Sequence, residues 1–340
     1  MILILNCGSQ SIKWKLFDNA LKVKKEDSFK VSNQKDYRKI LISELSKLKE
    51  HRKEIDIVGH RVVHGGGEFV KPARINEEKL KALEKLNKLA PLHNPFNLLG
   101  IKVARQIVPK AKQIAVFDTE FYSNLTPSVY TYPLPEKIRD EYGFRRYGFH
   151  GISHEYVAKE AAKIIRKPFK KLRIITCHLG GGSSITCVKN GRAVDTSMGF
   201  SPMEGLTMMT RSGSIDPKII LTLAKSLSIE KTERLLNYDS GLKGICGEKE
   251  MLGVLKKASR GDRRAKLALE IFTYQIKKFI GSYFAVLGGC DLLVFTGTIG
   301  FGSSKIRNMI CRNLSILKNT RVLSIKTNEE VAIVQKIKSL

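Results

Sequence analysis

Along the chain, strand-like apolar blocks that end in glycine alternate with stretches whose apolar residues recur every third or fourth position. The block Leu172 to Cys177 breaks at Gly180-Gly181-Gly182-Ser183-Ser184, resumes from Ile185 to Lys189 and turns back at Asn190-Gly191. That order predicts strand, glycine turn, strand and hairpin, because Asn-Gly tolerates the positive φ of a tight hairpin turn. The N-terminus repeats it: strand Ile2 to Asn6, turn Gly8-Ser9-Gln10-Ser11, strand Ile12 to Phe17, with Ser11-Ile12 in register with Ser184-Ile185. Such self-similarity predicts duplicated units. Three glycines followed by two serines offer N–H groups and hydroxyls without side-chain bulk, as a phosphate-binding loop does, although a plain glycine-rich hairpin has the same composition.

Between the hairpins, leucine and isoleucine at helical spacing predict a helix over Asp36 to His51, then a strand over Ile55 to Val63. Asn76 caps a helix through Leu89, Pro91-Leu92-His93-Asn94-Pro95 is a rigid turn, and a second helix reaches Val108. Strand Ile114 to Phe117 places Asp118 at its carboxyl end, where open α/β sheets bind ligands. Pro127 to Arg146 reads as loop with a short helix, and Ser153 as the cap of a helix over Glu155 to Arg166. Beyond the second hairpin lie the loop Thr210-Arg211-Ser212-Gly213, helices Pro217 to Leu227 and Glu230 to Leu236, and a glycine loop from Gly241 to Gly247. The longest helix spans Arg263 to Leu287, followed by strand Leu292 to Thr296, the loop Gly297 to Gly302, helix Lys305 to Leu317 and strand Val322 to Ile325. Thr327-Asn328-Glu329-Glu330 has the capping-box pattern that opens a final helix.

Charge changes the picture less than its size suggests. Lys+Arg 60 against Asp+Glu 32 gives +28, which invites a nucleic-acid partner. The lysines are spread over helical segments such as Glu78 to Lys88 and Lys159 to Lys171, without interleaved aromatics, so they read as solvated faces that draw anions inward. Length allows two domains, divided near residue 150. The six cysteines form no C-x-x-C pair, which fits a reducing cytoplasm, and Met1 leads directly into a core strand, leaving no room for a signal peptide. Phe279 to Gly302 imitates a membrane span, but six glycines interrupt it.

The motifs Asn6-Cys7-Gly8-Ser9, Gly59 to Gly66 (GHRVVHGG), Ala90 to Pro95 (APLHNP), Val116 to Thr119 (VFDT), Arg146 to Gly151 (RYGFHG), Asp195 to Phe200 (DTSMGF) and Thr210 to Gly213 (TRSG) occur in this order. In that order they resemble the acetate kinase family, within the actin, hexokinase and acetate kinase superfamily. The resemblance runs from Met1 to Glu330. It implies two duplicated actin-like (ribonuclease H-like) α/β domains with a nucleotide cleft between them: 1–149 completed by the helix 330–340, and 150–329. It further implies a cytoplasmic homodimer that transfers a phosphoryl group between ATP and acetate with Mg²⁺, or Mn²⁺ in its place, giving acetyl phosphate and ADP. Nucleic acid and membrane are not expected partners.

On the matching positions the resemblance implies that Arg61 and Arg211 hold the carboxylate and the equatorial phosphoryl oxygens, with His150 bonding the same oxygens and Asp118 as a catalytic residue. Asn6 and Glu329, with Asp118, would stand on the metal side. Val63, Leu92, Phe149 and Pro202 would surround the methyl group, with His93 and His178 on the phosphate path. Phosphate and nucleotide contacts would come from Ser9, Ser11, Lys13, Gly180, Gly181, Gly182, Glu250, Met251, Leu252, Gly297, Thr298, Ile299, Gly300 and Phe301. The chemistry is compatible: acetate is ionised ~3 units above its pKa at neutral pH, so no base is needed and the barrier is one of charge. A small apolar pocket separates acetate from propionate by only ~1–3 kcal/mol, so propionate is an expected second acceptor.

Several positions depart from the family. Gly181 replaces Asn, Gln10 replaces Ser, Glu250-Met251-Leu252 replaces Asp-Phe-Arg, and Phe301-Gly302 replaces Glu-Asn. These changes fall on the nucleotide side. They leave open a different donor, such as another nucleotide or pyrophosphate, and a catalytically weak regulatory protein on the same fold; the charge leaves open a nucleic-acid-binding protein.

Overall fold

Continuous apolar sequence makes β1 (Ile2–Gly8) a central strand, buried from Ile2 to Cys7. In the computed structural model, which describes residues 1–9, 11–31 and 33–340, β1 lies in a six-stranded sheet ordered β3-β2-β1-β4-β6-β5. Its partners are β2 (Ser11–Phe17), β3 (Val23–Lys30), β4 (Ile57–Val62), β5 (Ala73–Arg74) and β6 (Lys112–Phe117). Gln10, one of the departures noted above, lies outside the described residues. Helices α1 (Tyr37–Ser46), α2 (Glu77–Lys85) and α3 (Asn94–Ile107) cover this sheet, with Leu3, Trp14, Tyr37, Leu41 and Val103 in one core cluster and Phe69, Leu83, Ile101 and Phe117 in another.

The first unit comprises Met1–Ser123, Phe149–Ser153 and Asn328–Leu340; the second comprises Asn124–Gly148 and His154–Thr327. Residues 124–148, placed by the sequence with the first domain, thus group with the second. The Arg146 guanidinium explains this, donating to the Thr196 and Met198 carbonyls at 3.1 and 3.3 Å and to Glu204 at 2.8 Å. Chain-terminal residues complete the first unit as the helix Glu329–Lys338, which packs on β1 and β4. Gly59 permits that approach, since a Cβ there would stand 2.4 Å from Ile337 Cδ1 and 2.6 Å from Ile4 Cδ1.

The second unit holds α4 (Pro127–Tyr130), α5 (Glu136–Tyr142) and most of α6 (Gly151–Ile164), then β7 (Arg173–Leu179), β8 (Ser183–Lys189) and β9 (Arg192–Thr196). There follow α7 (Pro217–Leu227), α8 (Ile229–Tyr238), α9 (Gly241–Cys246), α10 (Met251–Ser259), α11 (Arg263–Leu287), β10 (Leu292–Thr296), α12 (Gly297–Gly300), α13 (Ser304–Cys311) and β11 (Arg321–Ser324). Its sheet is ordered β11-β10-β7-β8-β9, and α11 supplies Ala268, Phe272, Ile276 and Ile280 to the core beneath it. The duplication is visible in topology: β3-β2-β1-β4-β6 and β9-β8-β7-β10-β11 share one order, antiparallel on the hairpin side and parallel beyond it.

Some expected boundaries move. Strand β3 was not foreseen because VKKEDSFK lacks apolar alternation; it is an exposed edge whose lysines discourage further pairing. Helix α6 begins at Gly151, so Ser153 lies inside its first turn, fully buried, and does not cap it. The glycine stretch from Gly241 is helix α9, ended by Gly247 at φ +77°. Asn328 rather than Thr327 caps the last helix, its side chain accepting from Val331 N at 3.3 Å. All six cysteines are free, and among the described residues no helix is long and apolar enough to cross a membrane.

Replacing Gly59 by alanine overpacks the seat of the C-terminal helix. Urea unfolding is expected to show a loss of about 1–3 kcal/mol against the unmodified chain.

Candidate functional site

Parallel strands β1, β4 and β6 bring their carboxyl ends to one edge of the first sheet, the position that binds ligands in open α/β sheets. Asn6 sits near the end of β1, Arg61 in β4, Asp118 just after β6, and Glu329 is the first residue of the C-terminal helix. The structure gathers all four. Arg61 Nε donates to both Asp118 oxygens at 3.2 Å, and its Nη2 lies 2.7 Å from Oδ2. Arg61 Nη1 lies 2.9 Å from Glu329 Oε2, which also accepts from Asn6 Nδ2 at 3.0 Å. Glu329 and Glu330 open a helix, where the dipole favours negative charge.

Burial works against the Arg61 charge, but Asp118 and Glu329 more than offset it and hold the guanidinium protonated. Asp118 is 1% exposed; burial pushes its carboxyl upward and Arg61 draws it only part of the way back. Two carboxylates face one guanidinium. No group of three or more His, Cys, Asp or Glu side chains is set to hold a metal among the described residues. The donors present are instead carboxylate and amide oxygens, a hard set that fits a divalent ion keeping part of its water shell.

Beside this cluster, Gly151 N donates to the Asp118 carbonyl at 3.1 Å and Tyr122 Oη to the Phe149 carbonyl at 2.8 Å. These bonds fix the segment carrying His150, whose φ of 58° is unusual for a residue with a side chain. Phe149 and Val63 are buried, and the His64 ring lies edge-on to Phe149 at 5.5 Å. Leu92 and His93 are half-buried in the turn before α3. Ser9 and Ser11 flank the first hairpin turn, and Lys13 is exposed on β2.

In the second unit the loop Gly180–Gly182 adjoins residues 297–300, which the sequence suggested as loop and which form the short helix α12, a Cβ on Gly180 lying 3.3 Å from Thr298 Oγ1. Gly297, at φ +78°, stands so close to the Leu179 carbonyl that a Cβ would meet it at 2.4 Å. His178 pairs in register with Thr296 and Ser184. Ser183 and Ser184 belong to β8 rather than to the turn, where Ser184 and Thr176 bracket the buried His154 ring at 2.7 and 2.6 Å. Glu250 precedes α10, the Met251 side chain is buried in the core, and Leu252 is 79% exposed. Ile299 is buried in that core too, while Phe301 is exposed. Arg211 Nη1 donates to the Pro202 carbonyl at 3.3 Å, and burial lowers its pKa against the opposing pull of Tyr238.

Sequence reading assigned no role to three features. Arg146, Glu204 and Tyr132 form a hydrogen-bonded hub in which Tyr132 Oη also accepts from Phe200 N at 2.8 Å, bracing the segment that leads to Arg211. Thr296 Oγ1 is buried beside the glycine loops with no hydrogen-bond partner among the described residues. Asn94 and Asn97, both buried, bond the backbone where β1 and β4 end. Asn97 carried a signal, a polar residue three positions after Asn94 on a helix face otherwise apolar.

Replacing Arg61 by glutamine leaves Asp118 and Glu329 uncompensated, and urea unfolding at pH 7 is expected to show a loss of about 3–5 kcal/mol. A carboxyl with a raised folded-state pKa binds its proton more readily in the native protein, so the variant should recover stability as pH falls through that raised value. A deficit that stays constant between pH 7 and pH 5 contradicts this.

The model of the acetokinase family matches residues 21–334. The acetate kinase of Sulfurovum sp. is 43% identical over 92% of this chain and 86% of its own length. Among solved structures, Porphyromonas gingivalis acetate kinase superposes with a TM-score of 0.90 at 33% identity, covering 99% of this chain and 98% of its own. A propionate kinase from Francisella tularensis superposes with a TM-score of 0.88 at 37% identity, covering 98% of each. Motif order, duplicated sheets and these likenesses together establish that the chain belongs to the acetokinase family.

Proposed function

We propose that the chain is an acetate kinase, transferring the γ-phosphoryl group of ATP in line to acetate and forming acetyl phosphate and ADP reversibly. The observation that carries the reading is the Asn6–Arg61–Asp118–Glu329 cluster at the carboxyl ends of β1, β4 and β6. Acetate arrives ionised, so the cluster has no proton to remove; its task is to hold charge in place. Asp118 fixes the plane of the Arg61 guanidinium by bidentate bonding and Glu329 and Asn6 engage Nη1, which leaves the second Nη2 N–H to meet a carboxylate or phosphoryl oxygen. Arg211 and His150 act on the equatorial phosphoryl oxygens. The bond to the Pro202 carbonyl helps position Arg211 for that role. Val63, Leu92, Phe149 and Pro202 bound the acyl methyl group, and His93 and His178 line the phosphate path.

Asn6, Asp118 and Glu329 would hold Mg²⁺, or Mn²⁺, directly or through water; when bound it offsets phosphate charge. The loop Gly180–Gly182, free of side-chain bulk, and the helix Gly297–Gly300 that opens and ends on glycine suit the nucleotide phosphates, with Ser9, Ser11 and Lys13 contributing from the first hairpin. Backbone groups of Glu250, Met251 and Ile299 fit this role better than the side chains of Met251 and Ile299, which are buried in the core. A cytoplasmic homodimer belongs to the same reading. The exposed apolar residues Ile219, Leu221 and Ile229, at 51, 59 and 71% exposure, support self-association.

A hydroxamate trap run with ATP, GTP and pyrophosphate as donors, and acetate and propionate as acceptors, tests the proposal. ATP and acetate are expected to give acyl phosphate, with propionate used less well. Arg211→Ala should lower kcat ~10²–10³-fold, as does the loss of one preorganised donor, in a protein that remains folded. No acyl phosphate with any donor overturns the reading.

A further inference from the structure

The two sheets differ where their central parallel strands end. In the second unit β7–β10 pairing continues to His178↔Thr296, next to the hairpin end Leu179. In the first unit β1–β4 pairing stops at Leu5↔His60, although β1 itself runs on to Gly8. If the register continued, Cys7 would stand opposite Val62, and in a slanted parallel ladder its carbonyl would take the amide of Val63. The Asn97 side chain occupies that rung. Its Nδ2 donates to the Cys7 carbonyl at 2.6 Å and its Oδ1 accepts from Val63 N at 3.0 Å. One helical turn earlier, Asn94 does the same for the next residue: Oδ1 accepts from His64 N and Nδ2 donates to the His64 carbonyl, both at 3.0 Å.

An interposed amide adds its own width to the rung, so β1 and β4 must part there while every backbone group stays satisfied. Asn6 and Arg61, which the same register would set opposite each other one step before Cys7 and Val62, lie on the strands that diverge. We infer that Asn97 is a positioning residue, a side-chain rung that spreads β1 from β4 and sets the spacing at which Arg61 and Val63 present themselves to the acceptor. Pro95 within the first turn of α3 and the burial of Asn97 at 3% exposure hold the rung rigid. The inference rests on the acceptor roles proposed above for Arg61 and Val63.

The test has two arms. Hydrogen exchange on the unmodified protein reads the rung directly: the Val63 amide is expected to be protected like the core amides of β4, and rapid exchange overturns the inference whatever the activity. In the second arm, Asn97→Ala and Asn97→Ser are compared for steady-state kinetics. With the rung lost or shortened, KM for acetate should rise ~10-fold or more and kcat/KM fall ~10–10²-fold, the scale of a 1 Å misplacement, while KM for ATP stays unchanged. Acetate over propionate selectivity should also shift, with serine retaining more function than alanine. A residue that serves only stability would lower the folded fraction and leave KM and selectivity alone, and that result overturns the inference. Absence of acyl phosphate from the unmodified protein would instead refute the proposed function and leave the exchange arm standing.

Discussion

Everything in the first unit turns on one half-buried guanidinium. Arg61 is taken out of water by the ends of three parallel strands, and only the two carboxylates against it make that burial tolerable. The carboxylates come from distant parts of the chain, Asp118 from the end of β6 and Glu329 from the first turn of the last helix. The ion cluster therefore ties the C-terminal helix to the sheet it covers. Gly59 extends the same constraint into the core, since the helix can approach β4 closely only where no side chain intervenes.

The duplicated sheets show how one topology serves two tasks. In the second unit the parallel strands stay paired to their ends, and glycine at Gly297 lets backbone approach backbone at Leu179. In the first unit the strands part early and side chains fill the opening with charge and amide groups. In the second unit the hub of Arg146, Glu204 and Tyr132 is a polar brace on residues 196–200.

Much of this was legible in the sequence. Strand β10 and helix α11 fall on the residues their apolar pattern predicts, and the two glycine hairpins announce the duplication. The family resemblance brought Asn6, Arg61, Asp118 and Glu329 to attention, Asp118 also by its place at a strand end, and the fold places them in contact. What escaped was set by tertiary context. Strand β3 is held by pairing with β2 rather than by burial of its own side chains, and α9 forms despite its glycines because Leu242 and Cys246 reach the core. The Asn97 rung depends on a register that ends early, which no local pattern encodes. Met251 shows the opposite limit: its alignment position points to the nucleotide, while its side chain is buried among apolar neighbours.

The account stands or falls on the coupling between Arg61 and Asp118. A double-mutant cycle on unfolding free energy, with Arg61→Gln, Asp118→Asn and both together, measures it directly. The account predicts a coupling of about 1–3 kcal/mol, the double variant being more stable than the sum of the single losses allows. Additive losses within about 0.5 kcal/mol would show that the two groups do not depend on each other, and would contradict it.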